Sequence, residues 1–229
     1  MNGHLVCIGG DYDYKCSLVE QETLKFKETQ GITNLKVWGD ADLEDFLRDY
    51  NKDALYAYLK IIPGAYKADI SRLSLIHHFG GWYSDMGIQF KKPINKDGYE
   101  MLLFWDMDNW IPGAILNGII FGNPGSEVMG NAIDRCIYNV KNENYGSDAW
   151  DVTGPVLLGK AYRSVCPNNI KFGKTIPYSE NQTDRYFTVD GELVAYGKIS
   201  NKQSYINNGI RYSTLWDQRR IFNQEIQHA

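Results

Sequence analysis

Residues 65–89 read AYKADISRLSLIHHFGGWYSDMGIQ, and this stretch is the most informative part of the chain because it puts charged residues where apolar ones are expected. Residues 65–79 are good helix formers without Gly or Pro, and Gly80-Gly81 follows, which predicts one helix. At 3.6 residues per turn, Asp69 and Arg72 fall inside the apolar stripe of that helix. A charge that faces a core must be paired or face a cavity, so the stretch predicts a polar binding site.

The segment after the double glycine adds an acid to the same region. Residues 82–90 predict a strand, whose period of two puts on one face Tyr83, Asp85, Gly87 and Gln89. The predicted helix is two-sided: its apolar stripe contains Ala65, Ala68, Leu75, Ile76 and Phe79, and the opposite side contains Lys67, Ser71, Ser74 and His78. The unit is therefore a helix with Asp69 and Arg72, a tight turn, and a strand that presents Tyr83 and Asp85.

The composition is that of a soluble globular protein. The chain has 229 residues, 43% hydrophobic and 23% charged, and this length fits a single domain over residues 1–229. A formal net charge of -4 gives no electrostatic reason to expect nucleic acid as a partner. No apolar run approaches the roughly 18 residues of a transmembrane segment, and the start lacks a signal-peptide pattern, so a cytoplasmic location is expected.

Strands and helices alternate along most of the chain, which predicts an α/β fold with a mostly parallel sheet. Strands are expected at residues 4–8, 35–38, 101–105 and 118–121, and helices at residues 16–29 and 43–50. Two further helices are expected to begin after Ser126 and at Thr153-Gly154-Pro155. Alternation around Asp190-Gly191 predicts a hairpin, and hence a small β-rich C-terminal part.

Several common catalytic motifs do not occur in the sequence. Gly9-Gly10 follows a strand but forms neither GxGxxG nor GxxxxGK[ST], so a plain turn explains it better than a phosphate loop. The adjacent His77 and His78 point to different helix faces and cannot form the i, i+4 zinc pair. The four cysteines have no CxxC spacing, and no GxSxG elbow is present. Zinc, redox and covalent hydrolase chemistry are therefore not indicated.

Asp69 and Arg72 taken alone could be an ordinary i, i+3 ion pair. Asp85 behind Tyr83 changes this interpretation, because it puts an anionic oxygen beside a guanidinium suited to phosphate or sugar hydroxyls. Residues 65–87 resemble the sugar-binding region of glycosyltransferases with a DxD motif, whose recurring run is roughly SDxxRxxxLxxxGGxYxDxD. This is the GT32-like family of capsule and polysaccharide transferases and yeast mannosyltransferases, with clostridial glucosylating toxins as distant members.

The resemblance implies a GT-A, Rossmann-like fold and a nucleotide-sugar donor, most often a UDP-sugar, with Mn²⁺ or Mg²⁺ as cofactor. It implies that Asp69 contacts the donor ribose or sugar and that Arg72 lies near the sugar and phosphate. Asp85 matches the first Asp of DxD, the metal ligand, and completes the predicted catalytic set. The predicted donor-binding set adds Ile8, Gly9, Tyr83, Asn117 and Trp216, and the turn at Thr153-Gly154-Pro155 also resembles a family element.

The sequence departs from the family run at Gly87, which replaces the second Asp of DxD. A hard divalent cation prefers oxygen ligands, and this replacement removes one carboxylate from the site. The donor diphosphate and water could supply most of the remaining ligands. A weak metal site at Asp85 and metal-independent activity therefore both stay open.

A second acidic pair, Asp106 and Asp108, follows the buried strand at residues 101–105. Ligands of open α/β sheets gather at the carboxyl ends of strands, so this location suits a site. The pair is the less favoured place for a metal ion. It is a candidate acceptor pocket, in which Trp105 and Trp110 could be sugar platforms.

The sequence thus predicts a hexosyltransferase that acts on a sugar or other hydroxyl acceptor in glycan or polysaccharide synthesis. Retention of anomeric configuration is implied by the family resemblance. A catalytically silent sugar or nucleotide-sugar binding domain is the first alternative, suggested by Gly87. A glycoside hydrolase with paired carboxylates is the second.

Overall fold

The structure is a computed structural model that describes residues 1–9, 12–106, 111–177, 185–197 and 211–226, with residues 12–19 described by their backbone. Nine strands and seven helices lie within these residues. The strands are β1 (Asn2–Val6), β2 (Asn34–Trp38), β3 (Gly81–Ser84), β4 (Gln89–Phe90), β5 (Met101–Trp105), β6 (Ile115–Gly122), β7 (Ile170–Pro177), β8 (Arg185–Val189) and β9 (Glu192–Tyr196). The helices are α1 (Tyr12–Thr29), α2 (Asp40–Tyr50), α3 (Lys52–Lys60), α4 (Gly64–Phe79), α5 (Glu127–Lys141), α6 (Pro155–Val165) and α7 (Tyr212–Asp217).

The strands form one sheet in the order β2-β1-β3-β6-β5-β7-β8-β9-β4. Strands β1 and β2, β1 and β3, and β5 and β7 pair in parallel. The five other pairs are antiparallel. The predicted mostly parallel sheet is therefore only partly present, and the fold is mixed α/β. One reason is that β5 and β6, like β8 and β9, are joined by too few residues for the crossover that parallel neighbours require.

Helix α4 is the central helix of the molecule. It packs on β1, β3 and β6 and also contacts α2, α3, α5 and α7. Ser71 and Ser74, predicted to lie on a polar side, are completely buried and donate hydrogen bonds to the carbonyls of Lys67 and Ile70. The prediction of a two-sided helix is therefore wrong at these positions, because other helices cover the side that faces away from the sheet.

The turn after α4 needs its two glycines. Gly80 and Gly81 have φ values of 60° and 96°, and a Cβ on Gly81 would lie 2.3 Å from the backbone oxygen of Asn2. Strand β3 then ends at Ser84, and a turn leads to β4, which pairs with β9 at the far edge of the sheet. The single strand predicted over residues 82–90 is thus two short strands on different neighbours.

Several predicted elements are confirmed at their ends. The Ser126 side chain caps α5, α6 begins at Pro155, and a hairpin joins β8 to β9 at Asp190-Gly191. Helices α3 and α7 and strand β7 were not predicted. Within the residues that the structure describes, no helix has both the length and the apolar character needed to cross a membrane.

Candidate functional site

Polar residues gather at the end of the sheet where its parallel strands reach their carboxyl ends. We call this end the carboxyl edge. Strands β1, β3, β5 and β7 run in the same direction, so their carboxyl ends meet at this edge. Asp85 follows β3, Asp106 follows β5, and Asn117 lies near the start of the oppositely directed β6. The Asp85 amide donates to the Gly118 carbonyl at 2.8 Å, which extends the pairing of β3 with β6 to the site.

Arg72 is at the centre of a buried network and is only 5% exposed. Its Nε donates to the carbonyl oxygen of Ala68 at 3.0 Å, and its Nη1 donates to the carbonyl oxygen of Asn117 at 2.8 Å. Nη1 also lies 3.0 Å from Asp85 Oδ1, and Nη2 lies 3.4 Å from Asp69 Oδ1. Protein acceptors therefore hold the guanidinium on several sides.

The neighbours of Arg72 keep its guanidinium protonated. Burial acts to lower the pKa of the guanidinium, but the negative charges of Asp85 and Asp69 act against burial, and the pKa is raised. The guanidinium also lies over the Tyr83 ring, with Cζ 4.8 Å from the ring centroid. Arg72 is thus a fixed cation that orients the carboxylates around it.

Asp69 is enclosed by hydrogen-bond donors. Its Oδ1 accepts from Asn117 Nδ2 at 2.7 Å, and its Oδ2 accepts from Thr153 Oγ1 at 2.8 Å. Burial raises the pKa of Asp69 to about 6, although the charge of Arg72 and the Thr153 hydroxyl act to lower it. At neutral pH the carboxylate is therefore mostly ionised, and its contacts make it a support for Arg72, Asn117 and Thr153.

Asp85 ends the network on the side of β3. Its Oδ1 accepts from the Tyr83 hydroxyl at 2.8 Å and is ion-paired with Arg72 Nη1 at 3.0 Å. Its side chain is 15% exposed, against 10% for Asp69, so it is the more accessible of the two carboxylates. Burial is the main reason that the pKa of Tyr83 is raised, which keeps the Tyr83 hydroxyl protonated as a donor. Tyr83 and Asp85, predicted to lie on one strand face, do lie together, although Asp85 follows the end of β3 at Ser84.

Two features of β6 shape this network. The register of β6 on β5 shifts between Leu102 and Phe104, where several residues of β6, Asn117 among them, lie opposite one residue of β5. The carbonyl of Asn117 accepts from Arg72 and its side chain donates to Asp69. A Cβ on the next residue, Gly118, would stand 3.0 Å from Asp85 Oδ2. Glycine therefore makes room for the Asp85 carboxylate.

Some participants were not assigned a role from the sequence. Thr153 was noted as part of a turn, and its hydroxyl proves to hold Asp69. Its signal was a hydroxyl residue placed directly before the Gly-Pro start of a helix. Gly118 gave no signal, because its importance depends on the approach of β6 to Asp85.

The other predicted donor-binding residues lie around this edge. Ile8 and Gly9 follow β1, and the Gly9 amide donates to Asp40 Oδ2 at 2.8 Å. Trp216 lies on α7, where its indole nitrogen donates to the Tyr145 carbonyl at 2.7 Å. Helix α7 contacts α4, so it is adjacent to the helix that carries Asp69 and Arg72.

The predicted acceptor region is described in part. Asp106 is buried, and its Oδ1 lies 3.3 Å from Arg185 Nη1. Burial raises the pKa of Asp106, and the charge of Arg185 acts against this rise. The ring of Trp105 stacks on Phe172 with centroids 4.3 Å apart and planes 10° apart, so one of its faces is covered. Asp108 and Trp110 lie outside the described residues.

The residues around Asp85 do not fit a complete Mn²⁺ or Mg²⁺ site. Asp85 Oδ1 already accepts from Tyr83 and is ion-paired with Arg72, and a guanidinium beside the carboxylate repels a cation. Gly87, at the position of the second Asp, has a φ of 84° and offers no side-chain oxygen. In the described part of the chain, no three His, Cys, Asp or Glu side chains are grouped as metal ligands.

The sheet and its helices define a mixed α/β fold whose polar residues lie at the carboxyl ends of strands, which is where open α/β sheets generally bind ligands. No protein-family model matches the chain, and no curated protein matches it. Among solved structures, the chain is similar to one titled "PaToxG Glycosyltransferase", with a TM-score of 0.53 and 16% sequence identity. The match covers 72% of this chain and 68% of that chain. At this identity the likeness shows that the two chains share a fold, and it shows the fold alone.

Proposed function

We propose that the chain is a glycosyltransferase that moves a hexose from a nucleotide-sugar, a UDP-sugar first of all, to a sugar or other hydroxyl acceptor. Retention of anomeric configuration and a place in glycan or polysaccharide synthesis belong to the same proposal. The observation that carries it is the buried network of Asp69, Arg72 and Asp85 at the ligand-binding edge of this fold. Burying these three charges costs desolvation free energy, and apolar side chains of similar volume would avoid that cost if the residues only had to fill the core.

The charge of the network suits a sugar. Two carboxylates and one guanidinium leave one net negative charge, which favours hydroxyl groups that donate hydrogen bonds over a phosphate bound directly. Asp85, the more exposed carboxylate, is the group proposed to accept from donor hydroxyls. The predicted place of Arg72 beside the phosphate stays a prediction, and its contacts support a positioning role.

Catalysis in this proposal is electrostatic and relies on residues that are fixed before the donor binds. Arg72 and Tyr83 hold the Asp85 carboxylate, while Asn117 and Thr153 hold Asp69. A carboxylate held in one orientation loses little freedom when the sugar arrives. We propose that the donor site at the same edge is bordered by Ile8, Gly9 and Trp216. Asp106 is proposed to face the acceptor.

Binding of a divalent cation stays a prediction, and the site predicted for it at Asp85 is a weak one. Asp85 would be the one carboxylate that the described residues offer it, and donor oxygens and water would have to complete the ligand set. Donor turnover is therefore expected to change by less than about tenfold when Mn²⁺ is replaced by a chelator. A loss of roughly a thousandfold or more would show a strong site, built with residues beyond those described.

The proposal is tested by turnover with a panel of UDP- and GDP-hexoses, measured as release of the nucleoside diphosphate. Asp85→Ala is expected to lower turnover by at least about a hundredfold, because the preorganised carboxylate is lost. Asp45→Ala is the matched control, since the Asp45 side chain on α2 is 78% exposed. Normal turnover by Asp85→Ala would remove Asp85 from the site, and no turnover of any donor by the wild type would contradict the activity.

A sugar or nucleotide-sugar binding domain without turnover is the second candidate function. The observation that favours it is Gly87, which removes a carboxylate from the matching run, together with the neutralisation of Asp85 by Arg72. Calorimetry that shows donor binding, in the absence of any donor hydrolysis or transfer, would support it. Release of sugar from an unactivated glycoside would instead favour a glycoside hydrolase.

A further inference from the structure

Trp150 is a large aromatic residue that stays exposed beside the buried network. Its surface is 40% exposed, and it belongs to the same loop as Thr153, which donates to Asp69. A Cβ built on Gly154 would stand 3.5 Å from the Trp150 Cα and 3.6 Å from Asp69 Oδ2. The backbone of the loop that carries this exposed indole therefore lies next to Asp69.

The loop that carries Trp150 is held in place. The Trp150 amide donates to Asp148 Oδ1 at 2.8 Å, and the Tyr66 hydroxyl donates to the Ala149 carbonyl at 2.6 Å. The indole N–H of Trp150 donates to the Tyr212 hydroxyl at 2.9 Å. Because these contacts fix the ring, a ligand that packs on it would immobilise little that is mobile.

Tyr212 connects Trp150 to the helix that carries Asp69. Its hydroxyl accepts from the Trp150 indole, and its ring lies 5.5 Å from that of Tyr66 on α4. Burial is the largest cause of the raised pKa of Tyr212, so the hydroxyl stays protonated at neutral pH. Trp150 is therefore tied to the same helix as Asp69 and Arg72.

We propose that Trp150, held by Tyr212, is the stacking platform for a pyranose ring of the acceptor glycan. A pyranose presents a face of C–H groups and a rim of hydroxyls, so it suits a flat apolar ring bordered by a few charged groups. The indole takes the C–H face, and the rim hydroxyls face the charged groups at this edge. This assignment rests on the proposed function and deepens it by naming the acceptor subsite.

The test compares wild type and Trp150→Ala in transfer from UDP- and GDP-hexoses to methyl α- and β-hexopyranosides. The expected result is a fall of about tenfold in kcat/KM for the acceptor, equivalent to about 1.4 kcal/mol, with the donor KM and acceptor-free hydrolysis unchanged. Trp150→Phe keeps an aromatic face and is expected to retain most of the activity. Tyr138→Ala removes a 62% exposed ring from α5 and is the control without effect.

A second measurement separates this inference from the proposed function. Saturation-transfer NMR detects binding of the same methyl glycosides without turnover, and Trp150→Ala is expected to abolish the signal. Glycoside binding that needs Trp150 but is not followed by transfer would keep the platform and overturn the proposed function. Transfer that Trp150→Ala leaves unchanged would overturn the platform and keep the function.

Two further outcomes would overturn the platform. An equal rise in the donor KM and in the acceptor KM of Trp150→Ala would assign the ring to the nucleotide base of the donor, since bases also stack on aromatic rings. Wild type that shows neither transfer nor glycoside binding would overturn the platform and the proposed function together.

Discussion

At the scale of single residues, the hydroxyl of Thr153 and the carboxylate of Asp69 form the contact on which the site depends. Thr153 is completely buried and its Oγ1 donates to Asp69 Oδ2 at 2.8 Å. Removing the donor leaves a buried carboxylate oxygen short of a partner, and a hydrogen bond to a charged group contributes about 1.5–3 kcal/mol.

Thr153→Val is therefore expected to lower the free energy of unfolding by about 2–3 kcal/mol, because it keeps the shape of the side chain and removes the donor. Thr153→Ser keeps the hydroxyl and loses one buried methyl group, so its expected cost is about 1 kcal/mol. Urea unfolding of the two variants and the wild type measures both values. Equal free energies of unfolding for Thr153→Val and Thr153→Ser would show that the Thr153 hydroxyl does not stabilise the folded protein.

The ionisation of Asp69 predicts a dependence of stability on pH. The folded pKa of about 6 lies above the ordinary value of 3.8, so the folded state binds the proton more tightly than the unfolded state. The resulting stabilisation is fully present below about pH 4 and is lost as the pH rises through about 6, a change of about 3 kcal/mol.

Asp69→Asn is the matched variant for this dependence, since an amide of the same shape cannot titrate. The free energy of unfolding of the wild type, relative to Asp69→Asn, is expected to fall between pH 4 and pH 7. Chemical denaturation at several pH values gives the difference. A difference that stays constant across this range would mean that the pKa of Asp69 is not raised in the folded protein.

At the scale of elements, the approach of β6 to the end of β3 sets the position of Asp85. A Cβ on Gly118 would lie 3.0 Å from Asp85 Oδ2 and 3.4 Å from its Cγ. The carboxylate would have to move by a few tenths of an ångström, and small displacements of catalytic groups reduce turnover markedly.

Gly118→Ala is expected to reduce donor turnover by roughly tenfold while the unfolding free energy stays within about 1 kcal/mol of the wild type. Gly130→Ala, in α5, is the control. Its Cβ would meet nothing closer than His77 Nε2 at 3.4 Å, and Ala favours a helix more than Gly does. Turnover of Gly118→Ala equal to that of Gly130→Ala would show that Asp85 does not need its present position.

Local sequence patterns predict some of these elements and miss others. Helix α4 and the glycine turn were predictable because their signals are local: helix formers followed by Gly80 and Gly81. The burial of Ser71 and Ser74 was not, since it depends on helices distant in sequence that pack over α4. The role of Asn117 likewise depends on a register shift between β5 and β6, which no local pattern encodes.

At the scale of the whole molecule, the order of strands brings the site together. Asp69, Asp85, Asn117 and Thr153 come from four separate parts of the chain and meet because α4, β3, β6 and the loop before α6 converge at one edge. Alternation of strands and helices was sufficient to predict α/β, but not the antiparallel placement of β6 between β3 and β5. Strand direction follows from long-range pairing, which short sequence windows do not contain.

The central claim is that this edge binds a nucleotide-sugar through Asp85, and isothermal titration calorimetry tests it most directly. UDP- and GDP-hexoses are titrated into the wild type, Asp85→Asn and the control Asp45→Asn, all shown to be folded by thermal unfolding. At least one donor is expected to bind the wild type and Asp45→Asn equally and to bind Asp85→Asn at least about tenfold more weakly. Absence of binding to the wild type, or equal binding to all three proteins, would contradict it.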